Sequence, residues 1–236
     1  MKHTRTNHTI GKATAARFLW ALLVGGAGCW PAGVQAGHRS GPKQYKVTIT
    51  NITRGQSFTP ILVASHRVGV RLFTLGESAT VELSALAEGG DVMPLQMALD
   101  ADPLVKGTGA SERLLEPGQS TSVLVPATGG ANRISLAAMM LPTNDGFIGL
   151  NGAIAPHGRR SITYFVRAYD AGSEPNDEDC ASIPGPLCGG QGGSPNADGE
   201  GFVHVHAGIH GVSSLDPAAD YDWRNPVARV VIERVE

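Results

Sequence analysis

Two acidic turns that follow apolar strands hold the residues best suited to chemistry in this sequence. The apolar run 134–141 leads into a turn containing Asp145, and the run 162–169 ends in a turn that begins with Asp170. If these two strands point the same way, both turns fall at one end of a sheet and the two carboxylates can meet. Carboxylates in oxygen-rich loops suit a hard cation such as calcium. The alternative is that both residues only form turns, because Asp side chains readily bond the local backbone.

A group of histidines offers a second kind of chemistry. His204 and His206 are two positions apart in a predicted strand, which places both imidazoles on one face; His210 follows and Glu200 precedes them. Three neutral imidazoles suit zinc, copper or iron. The alternative function is therefore a secreted metalloenzyme with a transition metal at His204, His206 and His210. A structural interpretation also stays open, in which polar edge-strand histidines hydrogen-bond a neighbouring loop.

The N-terminus has the order of parts of an export signal. Basic residues precede a short apolar core at 18–24, and small residues then lead to an acceptable cleavage site after Ala36. We expect residues 1–36 to be a signal peptide and 37–44 a linker, so that the mature protein is secreted or periplasmic. A lipid anchor at Cys29 is a less favoured alternative, because the residues before it match a lipoprotein box poorly.

Two cysteines remain after the expected cleavage, Cys180 and Cys188. An even pair in an exported protein indicates a disulfide. The competing interpretation is a pair of metal thiolates, but oxidising compartments favour the bridge.

Composition limits the classes of partner and fold. The 236 residues carry a formal net charge of −2, which is too near neutral to indicate nucleic acid or an acidic membrane surface as a partner. No segment beyond the leader is long and apolar enough to be a transmembrane helix. The chain has 42% hydrophobic residues, enough for a core, and its 31 glycines lie among short apolar runs that favour an all-β domain.

Strand patterns recur along the chain and predict about eight strands. The segment 45–50 alternates polar and apolar residues and is rich in β-branched types, which is typical of a strand with one buried face. The last apolar segment, 227–235, is expected to pair with it. A hairpin is predicted between 121–125 and the central run that starts at 134, because a short Gly-rich stretch connects them.

Other segments predict little regular structure beyond these strands. One short helix is predicted at 81–87, stopped by two glycines, and a second within 94–100. Prolines and glycines between 172 and 201 predict a long irregular loop. The expected fold is an antiparallel β-sandwich of about eight strands over 45–236, with one or two short helices and this Gly/Pro-rich loop.

Five segments share an order and spacing that is specific in combination: YKVTITNIT at 45–53, FTP at 58–60, PTNDGF at 142–147, YDAGSE at 169–174 and DWRNPVARV at 222–230. They resemble the bacterial branch of the spondin domain family, which includes the N-terminal modules of F-spondin and mindin. The resemblance implies a sandwich similar to C2 domains, with a calcium ion at loops on one end. It also implies a role in adhesion and recognition rather than catalysis.

The resemblance assigns metal-ligand roles to two residues. Asp145 and Asp170 match family ligands, which favours calcium over the turn-forming interpretation for this pair. The family's third acidic ligand is expected on the strand before the central run, but 120–125 contains no acid. A missing carboxylate predicts weak calcium binding, in the ~10⁻⁴–10⁻³ M range of extracellular modules. The replacement acid could be Glu174, Asp177 or Glu178.

The leading functional hypothesis is an exported, calcium-binding adhesion or recognition module without catalytic activity. Its expected partner is an extracellular protein or a surface ligand, whose identity the sequence does not indicate. The metalloenzyme on the three histidines stays the alternative.

Overall fold

The computed structural model describes residues 43–193 and 198–235. The predicted signal peptide at 1–36, Cys29 and most of the linker at 37–44 lie outside the described residues. The cleavage site after the signal peptide therefore stays a prediction.

Ten strands and three short helices form the regular structure of the described residues. The strands are β1 (Gln44–Asn51), β2 (Ser57–Phe58), β3 (Leu62–His66), β4 (Val105–Ala110), β5 (Ser120–Pro126), β6 (Arg133–Leu141), β7 (Gly146–Ile154), β8 (Ile162–Asp170), β9 (His204–Val205) and β10 (Ala228–Val235). The helices are α1 (Val81–Gly89), α2 (Met93–Ala101) and α3 (Ala218–Tyr221). Since β2 and β9 have only two residues each, the predicted all-β fold of about eight strands is confirmed.

The strands form one path in the order β4-β3-β6-β7-β8-β10-β1-β5, and neighbours pair antiparallel. β8 belongs to both halves of the path, because its first half pairs with β10 and its second half with β7. The two ends of the path come together, since Gly107 and Gly109 of β4 lie against Pro126 and Val123 of β5. The result is a sandwich that is nearly closed into a barrel.

Strand β6 is the centre of the packing. It is buried from Ile134 to Leu141, and its two faces enter different apolar clusters. Ala137 faces the cluster that α1 and α2 cover. A strand covered on both faces must be apolar at successive positions rather than alternate ones, which accounts for the continuous apolar run in the sequence. The other face of β6 packs into the core between the two sheets. Its residues there are Ile134, Leu136, Ala138 and Met140.

Both predicted helices are confirmed and cover one sheet. The Thr80 side chain caps α1 by accepting a hydrogen bond from the Leu83 N–H. Gly90 ends α1 in the left-handed conformation with φ 70°, where a glycine has no Cβ penalty. The single-turn helix α3 is not anticipated by the sequence pattern. Among the described residues, none of the helices has the length and apolar character needed to cross a membrane.

The pairing of the termini agrees with expectation, but the predicted hairpin is wrong. β1 and β10 pair along their whole length. The segment 121–125 lies in β5, which pairs with β1 rather than with β6. One edge of β6 is taken by β2 and β3 and the other by β7, so the connection 127–132 crosses between the two sheets instead of turning back. The Tyr45 hydroxyl fastens this crossing by donating to the Ala131 carbonyl at 3.0 Å.

The predicted long loop follows β8. Its described parts, 171–193 and 198–203, contain no helix or strand. The predicted disulfide between Cys180 and Cys188 is confirmed. Inside the bridged segment, Ile183 is fully buried in the core between the sheets, so an apolar anchor and a covalent bond hold the same short stretch.

We predict that removing the bridge loosens this stretch without unfolding the sandwich. Closing a loop of eight residues stabilises the protein by about 2.5 kcal/mol at most in the chain-entropy model. In a Cys180→Ser/Cys188→Ser variant, hydrogen exchange should accelerate at 179–191 while β1 and β10 keep their protection. Equal loss of protection in those strands, or two reactive thiols in the unfolded, unreduced wild type, would contradict this account.

Candidate functional site

The order of β6, β7 and β8 brings the two acidic turns together. β7 is antiparallel to both neighbours, so β6 and β8 run in the same direction and end at the same edge. Gly146 is paired with Asp170, and the Ala171 N–H donates to the Asp145 carbonyl at 3.2 Å. The side chains of Asp145 and Asp170 are both fully buried at this edge, which is the juxtaposition that the sequence predicts.

A tight turn aims Asp145 inward. The Thr143 hydroxyl donates to the Met140 carbonyl and accepts the Gly146 N–H at 3.0 Å. Position 146 must be glycine, because a Cβ there would lie 2.6 Å from Thr143 Oγ1 and 2.8 Å from His206 Cδ2. The turn is thus packed on both sides, and the Asp145 carboxylate that it carries is fully buried.

The two oxygens of Asp145 have opposite surroundings. Oδ2 accepts hydrogen bonds from the Ser173 N–H at 2.7 Å, the Ser173 hydroxyl at 3.2 Å and the Glu174 N–H at 3.0 Å. Oδ1 is buried and makes no hydrogen bond with the described residues. Burial, followed by the charge of Asp170, raises the pKa of Asp145 to about 7, although the Glu174 and Ser173 hydrogen bonds act in the opposite direction.

Asp170 is the better satisfied carboxylate. Its Oδ1 accepts the Gly172 N–H at 2.8 Å, and its Oδ2 accepts the Asn176 side-chain amide at 2.7 Å. Two imidazole nitrogens also approach it: His204 Nε2 lies 3.3 Å from Oδ1, and His206 Nε2 lies 3.9 Å from Oδ2. Asp170 therefore lies between the buried Asp145, with which it interacts electrostatically, and two histidines.

Glu178 serves as a structural tie between loops. Its Oε1 accepts the His210 N–H at 2.6 Å and its Oε2 accepts the Val212 N–H at 2.9 Å. Both carboxylate oxygens are therefore engaged by the backbone of another segment. A buried acid used in this way satisfies amides that would otherwise lack partners, and it is poorly placed to give an oxygen to a cation.

The other two acids considered as replacement ligands, Asp177 and Glu174, differ in burial. Asp177 is exposed, and its Oδ1 accepts the Asn144 amide at 2.9 Å and the Asp179 N–H at 3.0 Å. Glu174 is buried, and its backbone N–H is one of the donors to Asp145. Of the three acids considered from the sequence, Glu174 is the one both buried and directly adjacent to Asp145.

The pKa values of His204 and His206 are shifted in opposite directions. Burial is the largest single influence on the pKa of His204 and acts to lower it. The hydrogen bond to Val205 and the charges of Asp170 and Glu200 together outweigh burial, so the net effect is a raised pKa. For His206, burial dominates and lowers the pKa, while Asp170 acts in the opposite direction. The more exposed His204 thus favours the protonated imidazolium form, and the buried His206 favours the neutral form.

The structure assembles a different ligand group from the three histidines. Within the described residues, the one group of three potential ligand atoms that all lie within 4.8 Å of one another is Asp170, Glu200 and His204. His206 and His210 are not part of it. The chain leaves β9 after two residues, so the strand geometry assumed for these histidines does not continue to position 210.

Two polar residues of the site were not predicted from the sequence as site residues. Ser173 supplies both a backbone N–H and a hydroxyl to Asp145, and the Asn176 amide contacts Asp170 and Glu200 at 2.7 Å and 3.2 Å. Both lie in the irregular loop after β8. Their roles depend on the path of that loop, which no local pattern encodes.

The residues at this edge fit the calcium ion that the spondin resemblance implies. Calcium prefers oxygen ligands, including carboxylates held in loops. A buried carboxylate oxygen without a hydrogen bond is unfavourable by about 1–3 kcal/mol or more, and a cation beside Asp145 Oδ1 would remove that penalty. The proximity of Asp170 adds the second negative charge.

Comparison with known protein families agrees with the geometry. The Spondin_N family model matches residues 37–174, a range that includes β1 to β8 and both acidic turns. No curated protein matches the chain. The matched range excludes β10, although β10 is paired between β1 and β8. At the level of the family, the Spondin_N match indicates an extracellular domain of the recognition or adhesion type. Because the match covers more than half of the 236 residues, the chain belongs to the Spondin_N family.

Proposed function

We propose that the mature protein is an extracellular recognition module whose loop end is tied by one calcium ion between Asp145 and Asp170. The observation that supports this proposal most directly is that the two carboxylate oxygens of Asp145 have different surroundings. One oxygen accepts three hydrogen bonds, while the other is buried and accepts none from the described residues. The held oxygen fixes the carboxylate, so the other oxygen is presented in one direction.

Electrostatics gives a reason for a cation at this point. Burial and the neighbouring charge of Asp170 raise the pKa of Asp145 to about 7, so ionising both carboxylates without a counter-charge is unfavourable. A proton can relieve the repulsion in acid. At the pH of most extracellular fluids a divalent cation relieves it more completely, because it neutralises both charges at once.

The proposed ligands come from two loops. Asp145 Oδ1 and the Asp170 carboxylate are the principal ones, and Glu174 is the candidate for the third acid. Backbone carbonyls or water would complete the six to eight oxygens that calcium takes. With few carboxylates, the affinity is expected in the ~10⁻⁴–10⁻³ M range, which suits extracellular calcium levels.

Tying the turn after β6 to the loop after β8 would prepare this end of the sandwich for recognition. Loops fixed before binding lose less conformational entropy when a partner docks. The partner would be an extracellular protein or a surface ligand, and calcium would stabilise the binding surface rather than take part in a reaction.

We predict that calcium raises the melting temperature of the wild type. At ten times the dissociation constant, a ligand that binds only the folded state adds about 1.4 kcal/mol, equivalent to about 3–6 °C for a domain of this size. Asp145→Asn should abolish most of this rise, and in EDTA its melting temperature should be close to that of the wild type near pH 5, where the Asp145 side chain is protonated. Thermal melts in EDTA and in millimolar calcium measure both effects.

The matched control is Asp220→Asn, which makes the same change at an exposed position and should keep the full calcium effect. Glu174→Gln should reduce it. The calcium proposal fails if the wild type melts at the same temperature in EDTA and in calcium, or if Asp145→Asn shows the same rise as the wild type.

We predict a specific pH dependence from Asp145. Its pKa in the folded protein, about 7, is above the value of about 3.9 for an unfolded chain, so the folded state binds this proton more tightly. The stabilisation is fully present below pH ~4 and is lost as the pH rises through ~7. In EDTA, the melting temperature of the wild type should therefore fall relative to Asp145→Asn between pH 5 and pH 8.

Calcium should act in the opposite sense, because it must displace the same proton. Its stabilising effect should be small at pH 5 and larger at pH 8. Taking the difference between wild type and Asp145→Asn removes the contributions of His204 and His206 that are common to both proteins. A difference that does not change with pH in EDTA would show that Asp145 does not hold a proton in this range.

A further inference from the structure

A second cluster of ligand atoms lies on the outer side of Asp170. His204 Nε2 is 3.3 Å from Asp170 Oδ1 and 3.7 Å from Glu200 Oε2. This nitrogen is shielded from solvent and makes no hydrogen bond with the described residues. The imidazole therefore directs an unsatisfied nitrogen at two carboxylate oxygens.

The tautomer of His204 decides what that nitrogen can do. The His204 Nδ1 is 3.2 Å from the Val205 carbonyl, which can only accept, so Nδ1 carries the proton. In the neutral imidazole Nε2 then holds a lone pair. A lone pair facing two carboxylates is repulsive unless a proton or a metal cation lies between the nitrogen and the oxygens. A backbone carbonyl on the far nitrogen is also the usual arrangement behind a metal-binding histidine.

Asn176 orients both carboxylates toward the same point. Its side-chain amide donates to Asp170 Oδ2 at 2.7 Å and to Glu200 Oε1 at 3.2 Å. Asp170 Oδ1 and Glu200 Oε2 are the oxygens that approach His204. One amide thus engages the outer oxygen of each acid and turns the inner oxygens toward His204, where Asp170 Oδ1 also accepts the Gly172 N–H at 2.8 Å, so Asn176 is a positioning residue.

We propose that Asp170, Glu200 and His204 form a zinc site distinct from the calcium site. Zinc bonds nitrogen and oxygen at about 2.0–2.2 Å in tetrahedral geometry, which separates neighbouring ligand atoms by about 3.3–3.6 Å. The observed 3.3 Å and 3.7 Å match this spacing with little movement. An imidazole among the ligands favours zinc over calcium, which prefers oxygen alone.

The site has an open side. The His204 and Glu200 side chains are 25% and 37% exposed, so an ion can enter from solvent, and water can fill the fourth position as in three-ligand zinc sites. The buried His206 is a neighbour rather than a ligand. Its Nδ1 accepts the Gly208 N–H at 3.0 Å, so in its neutral form Nε2 carries the proton and faces Asp170 Oδ2 at 3.9 Å.

The zinc and calcium sites share Asp170 but differ in every other ligand. Variants can therefore separate them. Glu200→Gln and His204→Gln remove zinc ligands at partly exposed positions and leave Asp145 untouched. Asp145→Asn removes the principal calcium ligand and leaves the imidazole and Glu200 in place.

The test is calorimetric titration with zinc chloride of the exported protein, produced without a histidine tag and stripped with a chelator. We expect one zinc per chain, with Glu200→Gln and His204→Gln each weakening binding more than about tenfold. Cobalt substitution should give the visible absorption of a tetrahedral site in the wild type and lose it in His204→Gln. His157→Gln, at an exposed histidine away from the cluster, should bind zinc like the wild type.

Two outcomes would overturn the zinc proposal. One is the absence of saturable zinc uptake by the wild type, which would mean that protonated His204 alone neutralises the two acids. The other is undiminished binding in both Glu200→Gln and His204→Gln. Either result would leave the calcium proposal standing, because that proposal depends on Asp145 and on melts in calcium.

Discussion

The burial of two like-charged carboxylates side by side is the constraint on which this end of the molecule depends. Strand pairing makes it unavoidable, because the register that sets Gly146 against Asp170 also places Asp145 at the same edge. Water cannot solvate either side chain there, since both are fully buried. The surrounding chain must therefore supply hydrogen-bond donors, and the loop after β8 does so from Gly172, Ser173 and Glu174.

This dependence explains how a loop without regular structure keeps a defined path. Backbone amides in a loop need acceptors when no strand or helix provides them. Buried acids provide them here: Asp145 for the start of the loop, and Glu178 for the amides of His210 and Val212 in the segment after β9. The Cys180–Cys188 bridge and buried Ile183 hold the intervening stretch. Polar contacts thus fix the path of this loop, whereas apolar packing holds β6 in place.

Asp170 is common to the two metal sites that we propose. On one side lies the buried Asp145, whose pKa responds to the charge of Asp170; a pair of carboxylates suits a hard cation. On the other side lie His204 and Glu200, a mixed nitrogen and oxygen environment that suits zinc. The two oxygens of Asp170 have different partners, because Oδ1 approaches His204 while Oδ2 accepts the Asn176 amide.

Local chemistry in the sequence was sufficient to predict the apolar run of β6, the glycine stop of α1, the cysteine pair and the acidic turns. Each of these depends on neighbouring residues or on a period that repeats within a single element. The partners of β5, the strand status of the Gly-rich β4 and the grouping of Glu200 rather than His210 with His204 were decided by tertiary structure. The reason is that these features depend on which distant segments occupy the edges of a strand, and on where an irregular loop returns. The unmatched oxygen of Asp145 belongs to the same class, because it is defined by which donors other segments bring to the site and which they do not.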